Sequence, residues 1–478
     1  MLQPVFMISG YILGILGLIM LIPAGFDMVY EAQEWSPFLI SSFVAIFFGI
    51  SFFLANYVKI ERITLKQGYL VTVVCWFMVC LFSAVPFWLS HSVGSITDAF
   101  FEATSGITGT GATIINDVEV LPKSVLIWRS LLNYIGGLGI VIFAVALLPF
   151  LGIGGMQIFQ HENSDSNDKF MPKFSYIAKR ILAVYLVLTL LCVASFWGAG
   201  LQWFDAVNYA MSALSTGGFA PNNGSLARFD SIVVEVVAMV FMLCGALPMT
   251  FYILLFRRAT ADRNRQVCVF LTGTLTVAVL LSIYLYIVSG HSFIYVLRHG
   301  FFTTISIITT AGLSSCDFLQ WGTWMVVLVF LLSFVGGCTG STCGSIKILR
   351  WQVIYAFLKK YLLTAIEPNR VIPLKIGASN MSEKITMSVF VYIFSFLISL
   401  ALMTAIISLC GYDFATSLSA VAACITNVGL GSTEVIGPNG NFAFFSDTAK
   451  YIFCFVMLLG RLEVITLLVL LTKSFWRG

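Results

Sequence analysis

The chain has 478 residues, 59% of them hydrophobic and only 10% charged, with a mean hydropathy of +0.96 and a net charge of +4. A water-soluble domain of this length carries about 25% charged residues, so the composition excludes an ordinary soluble enzyme and reads as a polytopic membrane protein. No stretch is polar enough to make an independent soluble domain of ordinary size. Eleven cysteines lie mostly within apolar runs. Only Cys316 falls in an expected outer loop, which suggests no outer disulfide. The N-terminus shows neither a basic leader nor a small-residue cleavage site, and reads as a retained first helix.

In chain order, apolar runs near 5–25 and 38–57 are long enough to cross a bilayer. Asp27 to Trp35 between them reads as an acidic outer loop. Lys59, Arg62 and Lys66 after the second run place that end in the cytoplasm. Four units follow, each an apolar span, a short apolar helix, a polar turn and a second span. Their spans are expected near 69–90 and 124–150, 181–200 and 231–256, 268–289 and 322–349, and 385–410 and 448–472. The connection 152–180, with its polar middle from His161 to Lys169, and the turn with Arg257, Arg258, Arg263 and Arg265 are expected inside. Ten spans put both termini on one side, and Lys473 and Arg477 make that side cytoplasmic. The whole is an all-α fold with two peripheral helices (1–66) and four repeats (67–160, 161–265, 266–375 and 376–478) around one central pore. Every Lys and Arg except Lys123, Arg129, Arg228, Arg298, Lys450 and Arg461 falls in a segment read as cytoplasmic. The acids concentrate outside, where they either form a cation-concentrating vestibule or are simply solvated loop residues.

The repeat is marked by four stretches: Thr108-Gly109-Thr110-Gly111, Ser215-Thr216-Gly217-Gly218, Thr309-Thr310-Ala311-Gly312 and Thr426-Asn427-Val428-Gly429. Each reads hydroxyl-x-x-Gly and ends an apolar run too short to cross a membrane. They recur at a spacing of roughly 100 residues, the signature of an internal repeat. Extended backbone at membrane depth must be buried in protein or line a cavity. Glycine opens conformations that aim carbonyls at a common axis, and rings of carbonyls replace the hydration shell of K+. Asp98 and Asp205, seven residues before Ser105 and Ser212, and Asp413 read first as acids at the starts of the short helices, where the helix dipole favours them.

Two further features interrupt the spans. Gly336-Gly337-Cys338-Thr339-Gly340-Ser341-Thr342-Cys343-Gly344-Ser345 places ten small or polar residues in the middle of the third repeat's second span. Such a break is tolerated where it lines a cavity, and it reads as a loop below the carbonyl rings that obstructs the ion path. Cys338 and Cys343 lack a neighbouring His or third Cys, so a metal site is not expected there. Arg461 lies inside the last span. It is either a positive barrier in the pore or a structural partner to a neighbouring group. Glu463, two residues on, is a poor helix-face partner for it.

These features together resemble the TrkH/TrkG/KtrB superfamily of potassium uptake proteins over essentially the whole chain. The two extra N-terminal helices, the run from Phe334 to Lys347 and Gly460-Arg461-Leu462-Glu463 are similar to the TrkH/TrkG branch. The resemblance implies a K+-selective filter with glycines at Gly111, Gly218, Gly312 and Gly429; plant relatives with serine at the first of these tend to favour Na+. It implies uptake across a bacterial inner membrane and a homodimer with one pore per protomer. It also implies a cytosolic TrkA-like regulatory subunit carrying the nucleotide, ATP, ADP or NAD. This chain shows no GxxxxGK[ST] phosphate loop, and no cofactor of its own is expected beyond K+ as the transported ion. Membrane lipid is an expected partner and nucleic acid is not. The basic inner loop Lys347–Lys384 is the first candidate for docking the regulatory subunit.

A different class of function is a secondary symporter coupling K+ to H+ or Na+. It would need an ionisable carrier at the midplane, for which Glu463 is the main candidate. An intramembrane enzyme fits poorly: His91, His161, His291 and His299 are scattered, and neither HExxH nor GxSxG occurs.

Overall fold

In this computed structural model the described residues are 2–29, 35–59, 64–146, 170–256, 265–369, 373–376 and 379–477. The expected polar connection around His161 to Lys169, the residues Arg62, Arg257, Arg258 and Arg263, and most of the outer loop after Asp27 lie outside them.

The helices in order are α1 (Gln3–Ile19), α2 (Leu21–Val29), α3 (Trp35–Ala55), α4 (Leu65–Leu89), α5 (Ile96–Thr108), α6 (Lys123–Ala146), α7 (Phe170–Gly198), α8 (Trp203–Ser215), α9 (Ile232–Ala246), α10 (Met249–Phe256), α11 (Arg265–Ser289), α12 (Phe293–Ile308), α13 (Thr323–Leu332), α14 (Ile348–Ile366), α15 (Glu383–Leu409), α16 (Phe414–Ile425), α17 (Asp447–Arg461), α18 (Val464–Leu470) and α19 (Lys473–Trp476). Long helix, short helix, turn, helix occurs four times, as the pattern of apolar runs requires. Helices α1 to α3 stack beside this bundle, with α1 against α3 and α4. Asp27 is not in an outer loop. It is fully buried in the second turn of α2, which packs on α6, because α2 carries the first apolar run on to Val29.

Among the described residues seven helices are long and apolar enough to cross a membrane, or up to nine if each of two bent pairs is counted as one span. The expected second span of repeat 2 is α9 and α10, bent by 92° at Leu247-Pro248. Proline there lacks an N–H and clashes with the carbonyl one turn back. The expected last span is α17 and α18, bent by 110°. Glu463 at the corner has φ 62°, a left-handed conformation that no straight helix contains. The expected second span of repeat 3 survives as a helix for only ten residues, α13, before the chain leaves helical geometry. Lys347–Lys384, expected as a loop, is instead mostly the 19-residue α14, followed by a short hairpin pairing Lys375–Ile376 with Ser379–Asn380. Its apolar residues recur at helical spacing, and Leu349, Arg350 and Val353 face inward.

The short helices α5, α8, α12 and α16 are exposed at their starts and deeply buried in their second halves. From Phe101 to Thr108 every residue of α5 is buried, and α16 is buried from Ser419 to Ile425. Their inner halves are rich in Ala, Ser, Thr and Gly. Small side chains let helix backbones approach closely where lipid offers no hydrophobic driving force.

Candidate functional site

All four short helices end in the same way. The second residue of each hydroxyl-x-x-Gly stretch is left-handed: Gly109 (φ 64°), Thr216 (52°), Thr310 (56°) and Asn427 (54°). The N–H of the third residue donates to the carbonyl five residues back, Thr110 to Ser105, Gly217 to Ser212, Ala311 to Ser306 and Val428 to Ala423, at 2.9 to 3.1 Å. This is the six-to-one bond that closes a helix with a left-handed terminus. The final glycines are left-handed again, with φ of 78°, 85°, 66° and 76°. Three non-glycine residues therefore hold a conformation that costs each about 1–2 kcal/mol, a strain imposed by what surrounds them.

What surrounds each stretch is the next one. A Cβ built on Gly111 would stand 2.5 Å from the Gly217 carbonyl oxygen. On Gly218 it would meet Ala311 O at 2.7 Å, on Gly312 Val428 O at 2.1 Å, and on Gly429 Thr110 O at 2.1 Å. The fourth residue of each stretch thus abuts the third carbonyl of the next repeat, and repeat 4 returns to repeat 1. The four strands form a closed ring in chain order. Outside the ring, Gly136, Gly245 and Gly460 press against the carbonyls of Ile107, Leu214 and Ile425, the residues just before three of the stretches. Sequence reading passed over Gly136 and Gly245 and noted Gly460 only as part of a motif, although glycine inside an apolar span is itself a signal of close approach.

The leading hydroxyls turn away from the ring. Thr108, Thr309 and Thr426 each donate Oγ1 to the carbonyl four residues back at 2.7 Å, and Ser215 donates Oγ to Ser212 O at 3.2 Å. Their role is to finish the short helices. Thr110 Oγ1 pairs with Thr108 Oγ1 at 2.7 Å and accepts from Asn427 Nδ2 at 3.0 Å, joining strand 4 to strand 1. Asn427 Nδ2 also reaches Met457 O at 3.1 Å.

The interrupted segment lies directly against the inner side of the ring, and residues 336–346 are buried. Its two ends are tied by a parallel bridge, Val335 with Ile346 and Gly336 with Lys347. Its middle fills the bend between α9 and α10. Thr342 N donates to Gly245 O, Cys338 N to Ala246 O, and Gly340 O accepts from Met249 N, at 3.2, 2.9 and 3.1 Å. The loop thereby satisfies backbone groups that the break in the helix would leave orphaned in the membrane. Ser341 Oγ closes on Cys338 O, Ser345 Oγ bonds Ser333 O, and Lys347 Nζ donates to Cys343 O. Thr339 and Gly344 line a small cavity beneath the ring together with Lys347, Arg350, Tyr392, Arg461 and Glu463. Among the described residues no group of three or more His, Cys, Asp or Glu is placed to hold a metal ion.

Arg461 is buried at the end of α17. Its Nη1 donates to Thr342 O at 2.9 Å and its Nη2 to Gly136 O at 3.2 Å. A Cβ on Gly109 would stand 3.4 Å from Nη2, so the guanidinium occupies the space beside that glycine. Glu463 is held by a different cation, with Arg350 Nη2 at 2.6 Å, and the Arg350 guanidinium stacks 3.6 Å over the Tyr392 ring.

On the face of the ring away from the loop, sequence reading missed two buried acids. Glu102 in α5 accepts from Arg129 Nε at 2.8 Å, and both side chains are essentially inaccessible. The pair holds the chain just beyond two stretches: Glu102 accepts from Thr113 Oγ1 and Ile114 N, and Arg129 donates to Ala220 O. Glu235 takes a two-pronged bond from Arg298 at 2.7 and 2.9 Å, and Arg298 also reaches Asp230. Lys450 pairs with Asp98 at 2.6 Å, and Arg228 with Glu119. These pairs offset the charge of acids that a cation-concentrating vestibule would use. Asp98 and Asp205 lie in the first turns of α5 and α8. Asp413 caps α16, accepting from Thr416 N at 3.0 Å; hydrogen bonding from the Thr416 side chain first, and its backbone second, lowers its carboxyl below the usual range.

Over residues 36–477 the sequence matches the family described as TrkH, cation transport protein. It is 39% identical over 414 residues to the Trk system potassium uptake protein TrkI of Halomonas elongata, covering 86% of this chain and 84% of that one. It is 32% identical to the Trk system potassium uptake protein TrkG of Escherichia coli K12, covering 98% of this chain and 97% of that one. The crystal structure of the potassium transporter TrkH from Vibrio parahaemolyticus has the same fold, with a TM-score of 0.92 at 30% identity over the full length of both chains. The chain belongs to the TrkH family of cation transport proteins.

Proposed function

We propose that this protein is the translocating subunit of a Trk-type potassium uptake system and that K+ crosses it downhill through the ring of third-residue carbonyls. The closed ring is the observation that carries the reading. Four backbone strands held at van der Waals contact, with no side chain intervening at the glycines, suit a dehydrated monovalent cation coordinated by carbonyl dipoles. The filter then comprises the sixteen residues of the four stretches. The short helices point their carboxyl ends, and so the negative ends of their dipoles, at the ion. Below the ring, the loop from Gly336 to Ser345 closes the path, and the Arg461 guanidinium sets a positive barrier to cations. The repeats divide at 67–160, 161–265, 266–375 and 376–478.

Family membership supports the rest of the assignment: a bacterial inner membrane with both termini cytoplasmic, a homodimer with one pore per protomer, and a cytosolic TrkA-like subunit carrying the nucleotide. The stretch Lys347–Lys384, which carries α14 and the hairpin after it, is the docking surface in this reading. A symporter is less well supported, since Glu463, the acid it would use, is engaged by Arg350.

The test is cation flux into proteoliposomes under a K+ gradient alone, with H+ and Na+ gradients clamped at zero. Downhill flux of K+ and Rb+ exceeding that of Na+ and Li+ is expected. Flux that appears only with an imposed H+ or Na+ gradient would replace the channel with a symporter.

A further inference from the structure

The loop below the ring does more than lie in the path. It is hydrogen-bonded to the second residue of the stretches in repeats 2 and 3, packed against that of repeat 4, and joined at repeat 1 by Arg461. In repeat 2, Thr342 Oγ1 lies 3.2 Å from Thr216 Oγ1, 3.2 Å from Leu214 O and 3.0 Å from Gly245 O. In repeat 3, Gly344 N donates to Thr310 Oγ1 at 2.8 Å. In repeat 4, a Cβ on Gly344 would stand 2.5 Å from Thr426 O and 2.9 Å from Asn427 Cβ, so the loop backbone is seated against that strand. In repeat 1 the second residue is Gly109, whose Cβ position would touch the Arg461 guanidinium at 3.4 Å, itself bonded to Thr342 O.

Every second residue is therefore contacted by one layer built from the loop and Arg461. These are the residues in left-handed conformations, and three of them, Thr216, Thr310 and Asn427, are not glycine. A strained conformation persists only where its surroundings over-determine it, and here Thr342 and Gly344 supply part of those surroundings. Each second residue is bonded directly to the third residue, whose carbonyl meets the neighbouring strand. A shift in one ψ at the second residue would redirect that carbonyl.

We infer that Thr342 is a specificity-setting positioning residue: the loop holds the inner edge of the filter in shape, so ion selectivity depends on the loop being seated. The inference rests on the proposed K+ pathway. It adds that withdrawing the loop changes which ion is preferred as well as how fast ions pass. A loop that only blocks would leave the preference alone.

The experiment compares wild type with Thr342→Val, Thr342→Ser and Thr310→Val in proteoliposomes, reading K+ and Na+ influx separately and reporting their ratio. Valine keeps the shape and removes the hydroxyl. Thr342→Val is expected to raise the Na+/K+ flux ratio about fivefold, the factor that one net buried hydrogen bond is worth. Thr342→Ser is expected to return the ratio toward wild type, and Thr310→Val, on a different strand, to raise it like Thr342→Val. Equal increases in both fluxes with an unchanged ratio would overturn the inference and leave the loop a simple block. Should Thr342→Val fail to fold, Thr310→Val decides alone. A wild type without K+ preference would sink the pathway reading instead. In that case, equilibrium binding of labelled K+ and Na+ to the detergent-solubilised variants still decides the inference, since a loop with no hold on the ring leaves the affinity ratio unchanged.

Discussion

At the scale of single residues, the ring glycines are constrained twice, by φ and by contact. Val428 O lies 2.1 Å from where a Cβ on Gly312 would be, and Gly312 has φ 66°. Alanine there must both distort the neighbouring strand and hold a left-handed backbone, at a cost of about 1–3 kcal/mol for the backbone alone. Gly312→Ala is therefore expected to lose K+ preference even where the protein still reaches the membrane, a result that flux ratios on purified protein would check. Gly111→Ser meets Gly217 O at 2.5 Å and is expected to weaken K+ over Na+ discrimination in the same assay. The buried pair of Glu102 and Arg129 belongs to stability. Removing one partner of such a pair leaves an uncompensated charge and costs about 3–5 kcal/mol. Arg129→Met alone is expected to lower the thermal unfolding temperature in detergent more than the double change with Glu102→Gln, and equal effects would argue against the pair. Arg461 ties the loop at Thr342 O to α6 at Gly136 O beneath the ring, so Arg461→Ala is expected to raise resting K+ flux. Unchanged flux would remove it from the gate.

At the scale of elements, the straight helices were legible because an apolar run of some twenty residues is a local property. The four re-entrant hairpins were legible because they repeat. The bends were not, because their cause is remote. The carbonyls of Gly245 and Ala246 are released from α9 and accept instead from the N–H groups of Thr342 and Cys338, about a hundred positions on. Pro248 was the one local sign of that bend, and it was read as an ordinary residue of a span. The outer ion pairs were hidden for the same reason: Lys450 and Asp98 are 352 positions apart. The motif did not say what its leading hydroxyls do; Thr108, Thr309 and Thr426 donate them to helix carbonyls, a local bond that depends on the helix having formed. The interrupted segment was recognisable by composition, but only the structure shows that it completes a broken helix. Deleting 339–341 is expected to raise flux under conditions where wild type is closed, because the remaining chain is too short to fill the bend. Flux equal to wild type would exclude the loop as the obstruction.

For the whole molecule, ring closure is the organising fact. Each repeat supplies one glycine that only the next repeat's carbonyl can abut, so the four hairpins assemble around a single axis in chain order, with α1 to α3 outside. Selectivity in this account is a property of backbone geometry, held from outside by Glu102 with Arg129 and from inside by the loop and Arg461. The most direct test is to locate the ion. Crystals grown with Rb+ in place of K+ should show anomalous scattering on the axis, ringed by the carbonyl oxygens of Thr110, Gly217, Ala311 and Val428. Anomalous density confined to the acidic side chains of the outer mouth, with none inside the ring, would contradict the account.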